Sequence, residues 1–312
     1  SMADKLEIWD PHFHIWDVGP DTESGHELEQ LLAVNGKDVY AAAEYEADFL
    51  PATDFEHTGG AWLEAVSVCH IGLSGPQYDA YCLAEASWSA RELEKSDRNY
   101  VLIPTAPLHE PNVADTLAQL AEIPRVHGIR QILNHDPNWP RNAVLGDLLD
   151  NPQWQKGYAE LQKHAMSFDL QLNAPQFKKA AAFMKDFPDT PVIINHLGSP
   201  TLGDVTERER LFRDGLEALA GCTHTYIKIS MLFYTTMDWD QCEPLINNIN
   251  WIIDTFGVDR CVFASNYPVD IAQGWTADRL YGAFRKIAEA KTDLAGQQKL
   301  FAGNAKRVYR AE

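Results

Sequence analysis

Two histidines stand one residue apart in the stretch IWDPHFHIWD, residues 8–17, and His12 and His14 are flanked there by Pro, Phe, Ile and Trp. Residues two apart share a face of a strand, so a mostly apolar run would present both imidazoles to one side. Neutral imidazoles so placed can bind a divalent metal or pass protons near neutral pH. The alternation puts Asp10, His12, His14 and Trp16 on one face and Trp9, Pro11, Phe13 and Ile15 on the other. In PVIINHLG the face Val192, Ile194, His196 brings a third imidazole to the end of its run. TYIKISML aligns Tyr226, Lys228 and Ser230, HGIRQIL aligns Gly128 and Arg130, and SFDLQLNA aligns Asp169, Gln171 and Asn173. VFASN aligns Val262, Ala264 and Asn266, and AWLEAVSVCHI reaches His70. Unpartnered buried polar groups are costly, so this inner surface would make a poor core and predicts a pocket. Taken singly, His70 or His109 is more often a hydrogen-bonded structural residue, and Arg130 or Lys228 serves equally to neutralise Asp10 or Asp169. His26, His57, His127, His164 and His224 are expected in surface or structural positions.

Eight such β-rich runs, beginning with LEIWDPHFHIW, AWLEAVSVCHI and YVLIPTAPL and ending with CVFASNYPV, recur between stretches of helical periodicity. Leu117, Leu120 and Ala121, or Phe177, Ala180, Ala181 and Met184, mark the apolar faces of two of the helices. Strands alternating with helices imply parallel pairing, and eight units predict an α/β chain folded as one (β/α)8 TIM-barrel domain over residues 1–312. In barrel enzymes the chemistry sits at the carboxyl ends of the strands. A long acidic insertion follows the first strand, residues 17–59, with a helix-like patch from Val39 to Phe49 before Pro51. A lid and an oligomer contact are equal readings of it. Past Asp270 the helical sequence predicts the last barrel helix and a C-terminal helical extension.

Composition narrows the partners. The formal net charge is −19, with 45 acidic against 26 basic residues, which disfavours nucleic acid and anionic lipid. No G-x-G-x-x-G or G-K-[ST] loop indicates a nucleotide cofactor. The five cysteines are odd in number and contain no C-x-x-C pair, so they read as ordinary thiols in a reducing compartment. The opening SMADKLEIWD lacks a signal peptide's basic start and apolar stretch, and no apolar run approaches the ~18 residues of a membrane span. A cytoplasmic protein acting on a small molecule is the expectation.

D-x-H-x-H at Asp10–His14, GIR at Gly128–Arg130, NHLG at Asn195–Gly198, IKIS at Ile227–Ser230, FASNYPVD at Phe263–Asp270 and the closing LFAGNAKRVY together resemble the amidohydrolase superfamily. Within it they resemble the amidohydrolase 2 branch, with its sugar-lactone and 2-pyrone-4,6-dicarboxylate lactonases. The resemblance implies a hydrolytic water poised between a histidine-rich site and an acid on strand eight. In many members the two strand-one histidines bind a divalent metal, usually zinc; for this chain that implies at most a mononuclear zinc site of His12, His14 and His196. Other members of the lactonase branch act without a metal. Where the family usually carries aspartate after serine, this sequence has Asn266. An amide cannot accept a proton at neutral pH, so it cannot be the general base. Three readings follow: the base has moved to His196 or Asp270, a metal-bound hydroxide suffices, or the chain binds a ligand without turning it over.

The expected function is hydrolysis of the lactone of a small hydroxylated or carboxylated acid. His12 and His14 polarise the carbonyl, His196 assists proton transfer, Lys228 and Arg130 hold anionic oxygens, and Asn266 positions water or substrate. His70, Asn173 and Asp270 join Arg130 among the expected substrate contacts. A metal-dependent non-oxidative decarboxylase of an aromatic acid is the enzyme alternative, and a non-catalytic binding barrel the alternative of another class.

Overall fold

The computed structural model describes residues 5–18, 38–69, 74–139 and 144–312. Its framework is α/β: eight parallel strands, β1 Leu6–Phe13, β2 Phe55–Leu63, β3 Asn99–Ile103, β4 Gly128–Ile132, β5 Ser167–Gln171, β6 Val192–Ile194, β7 Thr225–Ile229 and β8 Cys261–Phe263. They pair as a sheet of three, β1-β2-β3, and a sheet of five, β8-β7-β6-β5-β4. Backbone hydrogen bonds span both seams between the sheets. At one, Leu102 bridges Val126 and the Arg130 amide donates to the Pro104 carbonyl at 2.9 Å. At the other, Phe13 bridges Tyr267, the His14 amide donates to the Tyr267 carbonyl at 2.9 Å, and the Asn266 amide donates to the His12 carbonyl at 2.8 Å.

Helices return the chain between strands: α1 Ala42–Ala47, α2 Pro76–Leu93, α3 Val113–Ala121, α4 Pro152–Ala159, α5 Phe177–Met184, α6 Glu209–Ala220, α7 Glu243–Phe256 and α8 Ala277–Lys291. Of the predicted stripes, Leu117 and Leu120 on α3 and Phe177, Ala180, Ala181 and Met184 on α5 are buried, whereas Ala121 at the end of α3 is exposed. No helix among the described residues is long and apolar enough to cross a membrane.

Several local expectations need correction. Strand two lies at Phe55–Leu63, earlier than AWLEAVSVCHI, and Val66–Cys69 is a helical turn. The insertion therefore ends before Phe55 rather than at Gly59; residues 19–37 of it, and His70, lie outside the described residues. Gly59 and Gly60 sit inside β2, where a side chain would collide with its neighbours: a Cβ on Gly60 would stand 2.1 Å from the Asp10 carbonyl oxygen.

Strict alternation also fails in β1. Asp10 pairs with Gly60 and Phe13 with Trp62, so β1 advances three residues while β2 advances two, an irregularity of the β-bulge kind. Trp9 consequently joins an apolar cluster with Ala61, Leu63, Val101, Ile103, Ile193 and Val262, away from the helices, while Phe13 packs in the helix-facing core with Ile8. Asp10, expected on the histidine face, instead turns toward α1. In β6 it is Ile193 that joins the Trp9 cluster, while Val192 and Ile194 face the helices, the reverse of the expected parity. The expected C-terminal helical extension is present and packs inward, where Ala302, Ala305, Val308, Tyr309 and Ala311 complete the Trp9 cluster.

Candidate active site

His12, His14 and His196 come together. The His12 ring centroid lies 5.1 Å from that of His14 and 4.4 Å from that of His196. β1 carries the first two past the bulge. His196 arrives by a different route, a turn directly after β6 in which His196 and Leu197 take left-handed φ values of 54° and 57°. All three rings are buried. Their basicity is lowered well below the imidazole norm: burial is the main cause for each, reinforced by Lys228 at His12 and by Arg130 at His14 and His196. His14 is pushed down to about 3. The rings are therefore neutral at pH 7, and their hydrogen bonds decide which nitrogen carries the proton.

Lys228 Nζ lies 2.6 Å from Asp169 Oδ2 and 3.1 Å from His12 Nδ1. Burial lowers this ammonium to about 8, opposed by Asp169, so it remains a donor at pH 7. His12 Nδ1 must then accept, which leaves the proton on Nε2. That N–H is buried and has no partner. His14 is arranged the opposite way: its Nδ1 lies 2.8 Å from the Leu63 carbonyl, which can only accept, so its Nε2 holds a lone pair. One strand thus supplies a donor and an acceptor side by side. His196 Nδ1 is 2.9 Å from the Ser230 hydroxyl.

Arg130 is committed elsewhere. Its Nε donates to Glu64 Oε1 at 2.9 Å, one terminal nitrogen to the Glu64 carbonyl at 2.8 Å, and the other to Gln171 and Asn195 at 3.1 and 3.3 Å. No bidentate face is left for a substrate carboxylate, so Arg130 acts on the site through its charge. Asn266, with φ of 54°, donates from Nδ2 to Asp270 Oδ1 at 2.9 Å and also hydrogen-bonds His14. Burial raises the Asp270 carboxyl well above the usual range. Asn173 is buried past the end of β5, its Nδ2 without a partner.

Sequence reasoning missed several supporting residues. Glu64, at the end of β2, is the ion-pair partner of Arg130 and accepts from the Ser67 amide at 2.7 Å and from the Ser67 hydroxyl. His57, expected in a surface or structural position, is structural and buried in β2; its Nδ1 accepts from Arg98 at 2.8 Å and its Nε2 lies 2.8 Å from the Tyr45 hydroxyl. Tyr45 of α1 donates to Asp10 at 2.6 Å, and Asp10 also accepts from the Ser265 amide and hydroxyl at 2.8 and 2.5 Å. Burial pushes Asp10 up to about 6. The described part of the insertion thus braces β1 against the loop after β8. The segments around Tyr45 and His57 offered no signal, since Tyr45 stands between Glu44 and Glu46 and His57 between Glu56 and Thr58.

A metal held by His12, His14 and His196 does not fit these residues. His12 offers a proton rather than a lone pair, and the lysine behind it repels a cation. The neighbouring carboxylates are taken: Asp169 by Lys228, Glu64 by Arg130, and Asp10 by Ser265 and Tyr45. Among the described residues no group of three His, Cys, Asp or Glu has metal-holding geometry.

The amidohydrolase family model matches residues 9–311. The chain is 24% identical to the L-fucono-1,5-lactonase of Burkholderia multivorans over 211 residues, 65% of this chain and 68% of that one. Among solved structures it is similar to an amidohydrolase from Burkholderia multivorans with bound zinc, with a TM-score of 0.72 at 19% identity, covering 98% of this chain and 99% of that one. It is also similar to a dihydroxybenzoic acid decarboxylase from Polaromonas with bound manganese, with a TM-score of 0.64 at 13% identity, covering 98% and 97%. At these identities the structural likenesses speak to fold, and the family they represent embraces hydrolases and related lyases. With its D-x-H-x-H strand and its closing segment both inside the matched span, the chain belongs to the amidohydrolase family, in the amidohydrolase 2 branch.

Proposed function

We propose that this protein is a single-domain (β/α)8 barrel hydrolase that opens the lactone of a small hydroxylated or carboxylated acid, with its own side chains in place of a metal. The seam hydrogen bonds between the two sheets support closure of the barrel. The observation that carries the reaction is the buried, unpartnered Nε2 of His12, with Lys228 on the opposite nitrogen. A lactone carbonyl oxygen accepting from that N–H gains a donor preorganised in a water-poor site, and the lysine behind the ring favours charge developing on the oxygen. His14 and the Asn266 amide bonded to it orient the attacking water. At a pKa of about 3 this ring is too weak a base to keep the proton. Asp270, raised by burial and tied to His14 through Asn266, is the better proton carrier. As water adds to the carbonyl carbon, the ring C–O bond breaks and the departing alkoxide takes up a proton, with His196 assisting.

Turnover of a panel of sugar and dicarboxylate lactones, monitored by acid release, tests the proposal. Hydrolysis of at least one lactone is expected. Absence of hydrolysis across the panel, with carbon dioxide release from hydroxybenzoates, would replace it by the decarboxylase reading.

A further inference from the structure

Tyr309 lies in the last turn of the chain, far in sequence from the site, yet its hydroxyl donates to Asp169 Oδ1 at 2.7 Å. Asp169 is fully buried. Its other oxygen accepts from Lys228 at 2.6 Å and from Asn195 at 2.7 Å. Lys228 in turn reaches His12 Nδ1 at 3.1 Å. A continuous line of hydrogen bonds therefore runs from the C-terminal segment to the imidazole that meets substrate.

The Tyr309 backbone is anchored from two directions. Its carbonyl lies 2.7 Å from His127 Nδ1, and the Ala311 carbonyl accepts from Asn99 at 2.5 Å. The ring packs 6.0 Å from that of Trp9 and sits beneath Lys228 Nζ at 5.5 Å. Packing among Ala302, Ala305 and Val308 asks only for a ring; the hydroxyl is surplus to it. Without that hydroxyl, Asp169 Oδ1 would have no donor among the described residues in a volume closed to solvent, and a buried carboxylate oxygen in that state turns or takes a proton. Either response frees Lys228 from its fixed direction. Burial and Asp169 together hold the Tyr309 phenol well above its ordinary range, so it remains a donor throughout the working pH range.

We propose that Tyr309 is a positioning residue: through Asp169 and Lys228 it keeps the proton of His12 on Nε2. This rests on the reading of His12 as the donor to the lactone carbonyl, but its test needs no substrate.

The test is nitrogen-15 NMR of histidine-labelled protein, comparing wild type, Tyr309→Phe and Tyr281→Phe. Tyr281 is a control, being a buried tyrosine whose hydroxyl has no partner. Wild type and Y281F should show His12 with a bare Nδ1 and a protonated Nε2. Y309F should move both signals toward a mixture of tautomers, and on a lactone substrate should lower kcat about tenfold at unchanged KM. His12 signals in Y309F identical to wild type would overturn the positioning role and leave the proposed reaction standing. A proton on Nδ1 in the wild type would overturn the reading of the site itself. Should Y309F not fold, Asp169→Asn breaks the same line one link further on; it must shift the His12 nitrogens, and unchanged His12 signals there would equally overturn the proposal.

Discussion

β4 and β7 carry the two cations of the site, and β1 carries two of its three imidazoles. The cations are engaged. Arg130 gives hydrogen bonds to Glu64, Gln171 and Asn195, and Lys228 to Asp169 and His12. His12 and His196 are each held on one nitrogen, by Lys228 and Ser230, while His14 bonds both Leu63 and Asn266. The difference teaches that the charges are scaffolding whose field sets the state of the rings, and that the second nitrogens of His12 and His196 are the groups left to meet a ligand.

The comparison can be broken from either side. Removing a cation should cost stability first. Arg130→Met leaves Glu64 buried without its partner, and a loss of about 3–5 kcal/mol in denaturant unfolding is expected. Removing an imidazole should instead cost rate. His12→Gln should unfold near the wild-type midpoint yet lose about 100- to 1,000-fold in kcat on any lactone substrate, the range for deleting one preorganised donor. If both variants lose stability alike and neither loses rate selectively, the division of labour is wrong.

A gradual effect, about 1.4 kcal/mol for each pH unit, concerns pH. His14 is depressed to about 3 in the folded protein, against an ordinary value of 6.5. Between those limits the unfolded chain binds a proton that the folded one refuses. The contribution of His14 is therefore present above about pH 6.5 and is lost as pH falls toward 3. Replacing the ring by Gln should flatten the acid side of the stability profile by about 1.4 kcal/mol for each pH unit below 6.5. Asp10, raised to about 6, contributes in the opposite sense, its stabilisation being lost as pH rises through that value, but it is common to both proteins and cancels in the difference.

How legible this was from sequence depended on range. The strand-one histidines, Lys228 and Arg130 were placed by local alternation, which holds wherever β-strands run regularly. It failed where a neighbouring strand intervened. The bulge at Asp10 answers to β2, and the Gly59–Gly60 pair answers to the backbones of Asp10 and Asn99, so neither can be read from its own segment. His196 reached the site despite the wrong parity because a left-handed turn redirects the chain after β6. Glu64, Tyr45 and Tyr309 were missed since their partners lie 66, 35 and 140 residues away along the chain. Asn266 is the converse case: its departure from the family pattern was plain in sequence, and only the structure supplies Asp270 as the carboxyl tied to it.

The central claim is that His12, backed by Lys228, does the work elsewhere given to a metal. Its most direct test is kcat on a hydrolysed lactone for protein stripped with a chelator and shown metal-free by elemental analysis, measured before and after adding zinc or manganese. The account predicts full turnover in the stripped protein and no gain on adding either ion. Turnover that vanishes on stripping and returns with one equivalent of metal would contradict it.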